Sequence, residues 1–228
     1  MTKVIELDRL LFSWSRREHP ILEIPSLTVE KGESLFVGGE SGSGKSTLLN
    51  LIAGIYQPTG GDVRLLGQSL ARMNASGRDR FRSNHLGVIF QEFNLLPFLS
   101  VRENILLPIR FIQKEKLKKL DVPKKLRELT DNLGLDSLLN RGASLLSVGQ
   151  AQRVAIARAL IAEPEIVIAD EPTSALDQKN ASIFLELLFG EIKKHDTTLV
   201  FVSHDWSIAS RFSQTMDLRN YCVKESHG

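Results

Sequence analysis

The stretch Gly39-Glu40-Ser41-Gly42-Ser43-Gly44-Lys45-Ser46-Thr47 decides how the rest of the chain is read, because it fits the phosphate-loop pattern G-x-x-x-x-G-K-[ST] at every position. Its glycines let the backbone curl until successive amides point inward, and a helix opening near Gly44 adds its positive dipole end. Lys45 is expected to reach the β and γ phosphates of a nucleotide as a point charge, and the Ser46 hydroxyl to ligate magnesium. The flanks agree with this reading. Ser34 to Gly38 is short and mostly apolar, as a buried strand should be, while Leu48, Leu51 and Ile52 take the spacing of a buried helix face that stops at Gly54.

The 228 residues suit one α/β nucleotide-binding domain with a well-buried core. Lys plus Arg number 29 against 27 Asp plus Glu, a net charge of +2, so the composition does not point to a nucleic-acid partner. The single cysteine, Cys222, excludes an internal disulfide and a cysteine metal cluster, and reads as a small half-buried apolar residue. Met1 to Glu6 lacks the apolar region of a signal peptide, and no apolar run nears the roughly 18 residues of a membrane span. Work at a membrane is therefore expected to go through a partner.

Outward from the loop, Val4 to Leu11 and Ile21 to Val29 read as strands, with the turn Glu30-Lys31-Gly32-Glu33 before the strand that enters the loop. Trp14 lies just past the first of them, where an aromatic can stack on a purine or cap the sheet edge. Gln57 to Asp62 reads as a turn, Val63 to Leu66 as a strand, and Arg72 to Arg82 as solvated helix surface. Leu86 to Phe90 is a buried strand that delivers Gln91 at its carboxyl end, where open α/β sheets place ligand groups. From Val101 to about Ser144 the pattern is helical, with Val101, Ile105, Ile109 and Ile112 on one stripe. The lysine-rich run Lys114 to Arg127 reads as an exposed helix face, with proximity to an anionic leaflet as the competing idea. Ile166 to Ala169 is a continuous apolar strand ending in Asp170-Glu171, two carboxylates whose placement is costly unless cations are near. Leu199 to Val202 is a second such strand, followed by Ser203-His204-Asp205, and Met216 to Gly228 reads as a strand or two with a polar end. His19, His85, His195 and His227 share no spacing and read as surface residues.

Leu146-Ser147-Val148-Gly149-Gln150 selects among phosphate-loop proteins. With the loop before it, Gln91 after an intermediate strand, Asp170-Glu171 behind it, then Ser174-Ala175-Leu176-Asp177 and His204, nearly the whole chain resembles the nucleotide-binding subunits of ABC transporters. The resemblance implies an α/β P-loop NTPase core, mainly parallel, with an antiparallel β subdomain and a helical insertion. Residues 1–91 and 161–228 would form the core with its β subdomain, and 92–160 the helical part. It implies ATP and Mg2+ as the bound species. Gly39, Glu40, Ser41, Gly42, Ser43, Gly44, Lys45, Ser46 and Thr47 would cradle the phosphates, with Trp14 stacked on adenine. Ser46, Gln91 and Asp170 would hold magnesium, Glu171 would polarise the attacking water, and His204 would hold the γ phosphate. Ser147, Gly149 and Gln150 would cap the ATP of a second copy, and Asp177 would lie where the two sites meet. Val148 departs from the glycine usual in the family; a β-branched residue keeps the contact only if its backbone is ordinary.

The expected activity is ATP hydrolysis by a homodimer at the cytoplasmic face of the inner or plasma membrane, held there by an integral membrane permease. The small size and the run Phe90 to Pro97 resemble the lipoprotein-release and macrolide-export branch. A regulatory module that controls a membrane or cell-wall partner is the alternative. Soluble translation or repair members of the family normally carry two such domains or a long coiled-coil insertion, which this chain lacks.

Overall fold

The computed structural model describes residues 2–15 and 19–222. The polar end of the tail and His227 lie outside the described residues. In chain order, β1 (Lys3–Phe12), β2 (Leu22–Glu30) and β3 (Ser34–Gly38) precede α1 (Lys45–Ile52). Next come β4 (Gly60–Leu65), β5 (Gln68–Ser69), α2 (Ala75–His85) and β6 (Leu86–Ile89). Four helices follow, α3 (Val101–Leu106), α4 (Lys114–Leu117), α5 (Val122–Leu133) and α6 (Val148–Leu160). Then β7 (Ile166–Asp170), α7 (Gln178–Lys194), β8 (Thr198–Ser203) and β9 (Gln214–Asp217) complete the elements that carry the argument. The chain divides into two units, one made of residues up to Asp79 with those from Thr198 onward, the other of Arg80–Thr197.

In the first unit an antiparallel sheet runs β2-β1-β4-β5, with Leu7 opposite Leu27 on one side and Val63 on the other. The strand pairing of β4 begins at Gly60, opposite Leu11, so the expected turn is shorter than its composition suggested. A parallel group places β3 between β8 and β9, with Phe36 opposite Phe201 and Thr215. Leu35, Phe36 and Val37 and the four apolar residues of β8 are fully buried, as central parallel strands are. Phe212 fills the space beside them, its ring 5.3 Å from Phe36 and 5.1 Å from Phe201.

In the second unit β6 and β7 pair in parallel, with Val88 opposite Ile168. The helical stripe expected from Val101 to Ile112 is interrupted. Helix α3 opens on a capping box of Ser100 and Glu103, but the chain tightens into a 3₁₀ turn over Leu107–Arg110. Pro108 brings no N–H for the Asn104 carbonyl and its ring clashes there, which ends the α-helix. Helix α5 is bounded by Asp121, which accepts from the Lys124 amide at 3.0 Å, and by Gly134 in the left-handed region.

The lysine run is not one exposed face. Lys125 is only 3 % exposed, its ammonium 2.8 Å from His195 Nε2 and 3.8 Å from both Glu128 and Glu163. Burial pushes its pKa down, and the carboxylates of Glu128, Glu163 and Glu191 work against that. Lys116 donates to the Glu163 carbonyl at 2.9 Å and to the Asn84 carbonyl. A patterning argument counts these two lysines as solvated because it cannot see that Lys125 meets Glu163 and His195, and Lys116 the carbonyls of Asn84 and Glu163, all distant in sequence. His195 is part of the same cluster, and His85 hydrogen-bonds Glu165 at 3.0 Å, so neither is a plain surface residue. Among the described residues no helix is long and apolar enough to cross a membrane.

Candidate functional site

In the first unit the phosphate loop springs from the carboxyl end of the central strand β3. Gly44 takes φ 83°, a left-handed conformation that costs a side-chain-bearing residue about 1–2 kcal/mol, and it opens α1 without any side-chain cap. The first amides of α1 are therefore not supplied with an acceptor by Gly44 itself. Lys45 is 6 % exposed and donates to the carbonyls of Gly39 at 2.8 Å and Glu40 at 2.6 Å. Its ammonium is thus held inside the curl of the loop, where the phosphates of a nucleotide would lie. The Cys222 thiol donates to the Ser43 carbonyl at 3.1 Å, and burial, with the charge of Asp217, raises its pKa. It behaves as the half-buried thiol its isolation in the sequence suggested.

His204 is the residue that follows β8, and Gly38 sits opposite Ser203, so His204 and the loop leave neighbouring strands at the same end. Trp206 fixes the chain beyond it. The indole lies so close over Gly38 that an added Cβ would stand 2.2 Å from its Cζ2, which only glycine permits. Phe36 meets the same indole edge-on, with ring centroids 5.2 Å apart. Trp14, 60 % exposed, is propped edge-on by Phe12 at 5.1 Å and Tyr56 at 5.4 Å, which stack on each other. An exposed indole held by two aromatic rings has the chemistry of a stacking surface as well as that of a sheet-edge cap. Trp206 and Tyr56 escaped the sequence reading; the one signal for the first was a glycine, Gly38, ahead of the loop with no phosphate role.

In the second unit Ile89 is opposite Ala169, so Gln91 and the pair Asp170-Glu171 also leave adjacent parallel strands at one end. Glu171 has φ 45°, a left-handed backbone in a residue that rarely adopts one. Its carbonyl accepts from the Ser174 amide at 3.2 Å and the Ser174 hydroxyl at 2.9 Å. Backbone strain of this kind concentrates at functional positions. Within this unit the amide oxygen of Gln91 and the carboxylate of Asp170 are hard oxygen donors of the kind that magnesium takes.

Helix α6 begins as the sequence required. Ser147 accepts from the Gln150 amide at 3.3 Å while the Gln150 side chain accepts from the Ser147 amide at 3.0 Å, a reciprocal capping box. The Ser147 hydroxyl keeps its own proton to donate. Val148 is the first helical residue, 58 % exposed and without positive φ, so the backbone here is ordinary and valine fits. Asp177 caps α7, accepting from the Asn180 amide at 2.8 Å. Arg158, near the far end of α6, is buried, which pushes its pKa down, and it donates to the carbonyls of Asn94 and Phe93.

A family model described as ABC transporter matches residues 22–174. The uncharacterized ABC transporter ATP-binding protein YbbA of Escherichia coli is 38% identical over 224 residues, 97% of each chain. The lipoprotein-releasing system ATP-binding protein LolD of Hydrogenovibrio crunogenus is 38% identical over 208 residues, 91% of this chain and 87% of that protein. Among solved structures, the dimeric post-hydrolysis state of the ATP-binding cassette MJ0796 bound to ADP and Pi is similar with a TM-score of 0.76, at 32% identity over 93% of each chain.

Proposed function

Because the chain belongs to the ABC transporter family of ATP-binding, ATP-hydrolysing subunits, we propose that it closes as a homodimer on two ATP molecules and drives a permease of the lipoprotein-release or macrolide-export type. The observation that carries the subclass is the similarity to a lipoprotein-releasing ATP-binding protein across 91% of the chain. The subunit would sit at the cytoplasmic membrane face, peripheral, through that permease.

The chain's own residues have these roles. The loop amides and Lys45 bind the phosphates, and Trp14 stacks on adenine with Phe12 and Tyr56 behind it. Ser46, Gln91 and Asp170 would hold magnesium, which when bound offsets charge on the β and γ phosphates. The Glu171 carboxylate takes a proton from the attacking water as its oxygen bonds to the γ phosphorus and the bridging P–O bond breaks, giving ADP and phosphate. His204 orients that water. Ser147 and the first amides of α6 reach the γ phosphate of the other copy, a helix amino end supplied in trans. Loss of the γ phosphate then releases the pair, and the permease takes up the motion.

The test is to tag Glu171→Gln, add ATP and magnesium, solubilise membranes gently and identify what is recovered. An integral membrane protein with few spans and a large extracytoplasmic domain is the expected partner. Recovery of a cell-wall enzyme regulator, or of ribosomal or repair proteins, would overturn the transport assignment while leaving the ATPase intact.

A further inference from the structure

We propose that Arg158 is a positioning residue for Gln91, tying the segment after Gln91 to the helix that begins at Ser147; the proposal rests on the reading of Gln91 as a magnesium-facing group. Phe93 and Asn94 have φ of 59° and 44°, two successive left-handed residues. Asparagine tolerates that conformation, but a bulky phenylalanine does so only when its surroundings enforce it. The enforcement is visible. The Phe93 amide donates to the Phe90 carbonyl at 3.0 Å and the Asn94 amide to the Glu92 carbonyl at 2.7 Å, a tight turn that encloses Gln91 and Glu92.

Two left-handed residues in a row swing both carbonyls to one side, and Arg158 meets them there. Its Nη1 donates to Asn94 O at 2.7 Å and its Nη2 to Phe93 O. A planar guanidinium serves two acceptors from one fixed fork, which a lysine ammonium on a flexible stem does not reproduce. Burying a cation to hold two carbonyls is costly unless the geometry they define is needed. A second tie follows at once. Asn104, fully buried, accepts from the Leu96 amide at 2.8 Å and donates to the carbonyls of Leu96 and Ser100, both at 3.1 Å. Gln91 and Glu92 are exposed on the near side of these ties. Opening of the turn that follows Gln91 must therefore carry α6 with it or break the fork, so that turn and α6 act as one piece.

The experiment compares the full-length protein with Arg158→Lys. Hydrogen exchange in the peptide spanning residues 90–97, measured without nucleotide, is expected to quicken by about tenfold as the turn opens more often. The magnesium concentration giving half-maximal ATPase is expected to rise several-fold, while ATP affinity without magnesium, set by the phosphate loop, holds within about twofold. Should Arg158→Lys fail to fold, Arg158→Gln takes its place with the same expectations. Unchanged exchange over 90–97, or an unchanged magnesium requirement, would overturn the proposal. Gln91→Ala separates the premise from the inference. If it leaves the magnesium requirement unchanged, the reading of Gln91 is wrong; if it shifts that requirement and Arg158→Lys does not, only the role of Arg158 is wrong.

Discussion

Helices α1 and α6 both open toward the phosphates in this account, yet their first turns are finished in opposite ways. Gly44 gives α1 a left-handed entry and no side-chain cap, and no acidic residue stands in its first turn. Ser147 and Gln150 cap α6 reciprocally, with Val148 exposed beside them. A helix start built around a resident anion can leave its donors to that anion. One that meets its ligand only on dimer closure needs its own cap to keep its shape in between. In the proposed function the first serves as a binding site held by its glycines and Lys45, and the second as a rigid tool carried on a self-capped helix.

The largest expected effect comes from the proposed general base. Glu171→Gln removes a general base, a contribution of about 10²–10⁴ in rate, so phosphate release should fall by that order while ATP still binds. Retained turnover would move the base elsewhere. At the uncapped start, Lys45→Ala removes charge-assisted bonds of about 1.5–3 kcal/mol, so calorimetry should show ATP affinity reduced by one to two orders of magnitude. Gly44→Ala forces a methyl-bearing residue to φ 83° and should cost about 1–2 kcal/mol, lowering the melting temperature by a few degrees. Ser147→Ala breaks the cap of α6 and should cost about 1 kcal/mol, read as faster hydrogen exchange in its first turn. Val148→Gly is expected to change least, because the backbone there is already helical; ATPase altered many-fold would mean that valine sets the pace of the motor.

Much of this contrast was legible in the chain. The loop pattern places Gly44 and Lys45, and Ser147 with Gln150 has the spacing of a capping box three residues apart, so both helix starts follow from local chemistry. Apolar runs located β3, β7 and β8 almost to the residue. What stayed hidden depends on contacts distant in sequence. Nothing local says that Trp206 covers Gly38, that Tyr56 props Trp14, or that Lys125 is buried against His195. Pro108 was a visible warning that the stripe through Ile109 could not be one helix, but periodicity alone outweighed it. The left-handed turn that Arg158 holds leaves no composition signal in Phe93-Asn94.

The most direct test asks whether the uncapped start of one copy meets the capped start of another. Cys222 is the single native cysteine, so Cys222→Ser clears the background for Ser41→Cys in the loop and Gly149→Cys in α6, combined with Glu171→Gln to hold ATP. Oxidative cross-linking with ATP and magnesium should give a disulfide-linked dimer, and without nucleotide a monomer. Bound ATP with no intermolecular cross-link at any protein concentration would contradict the account.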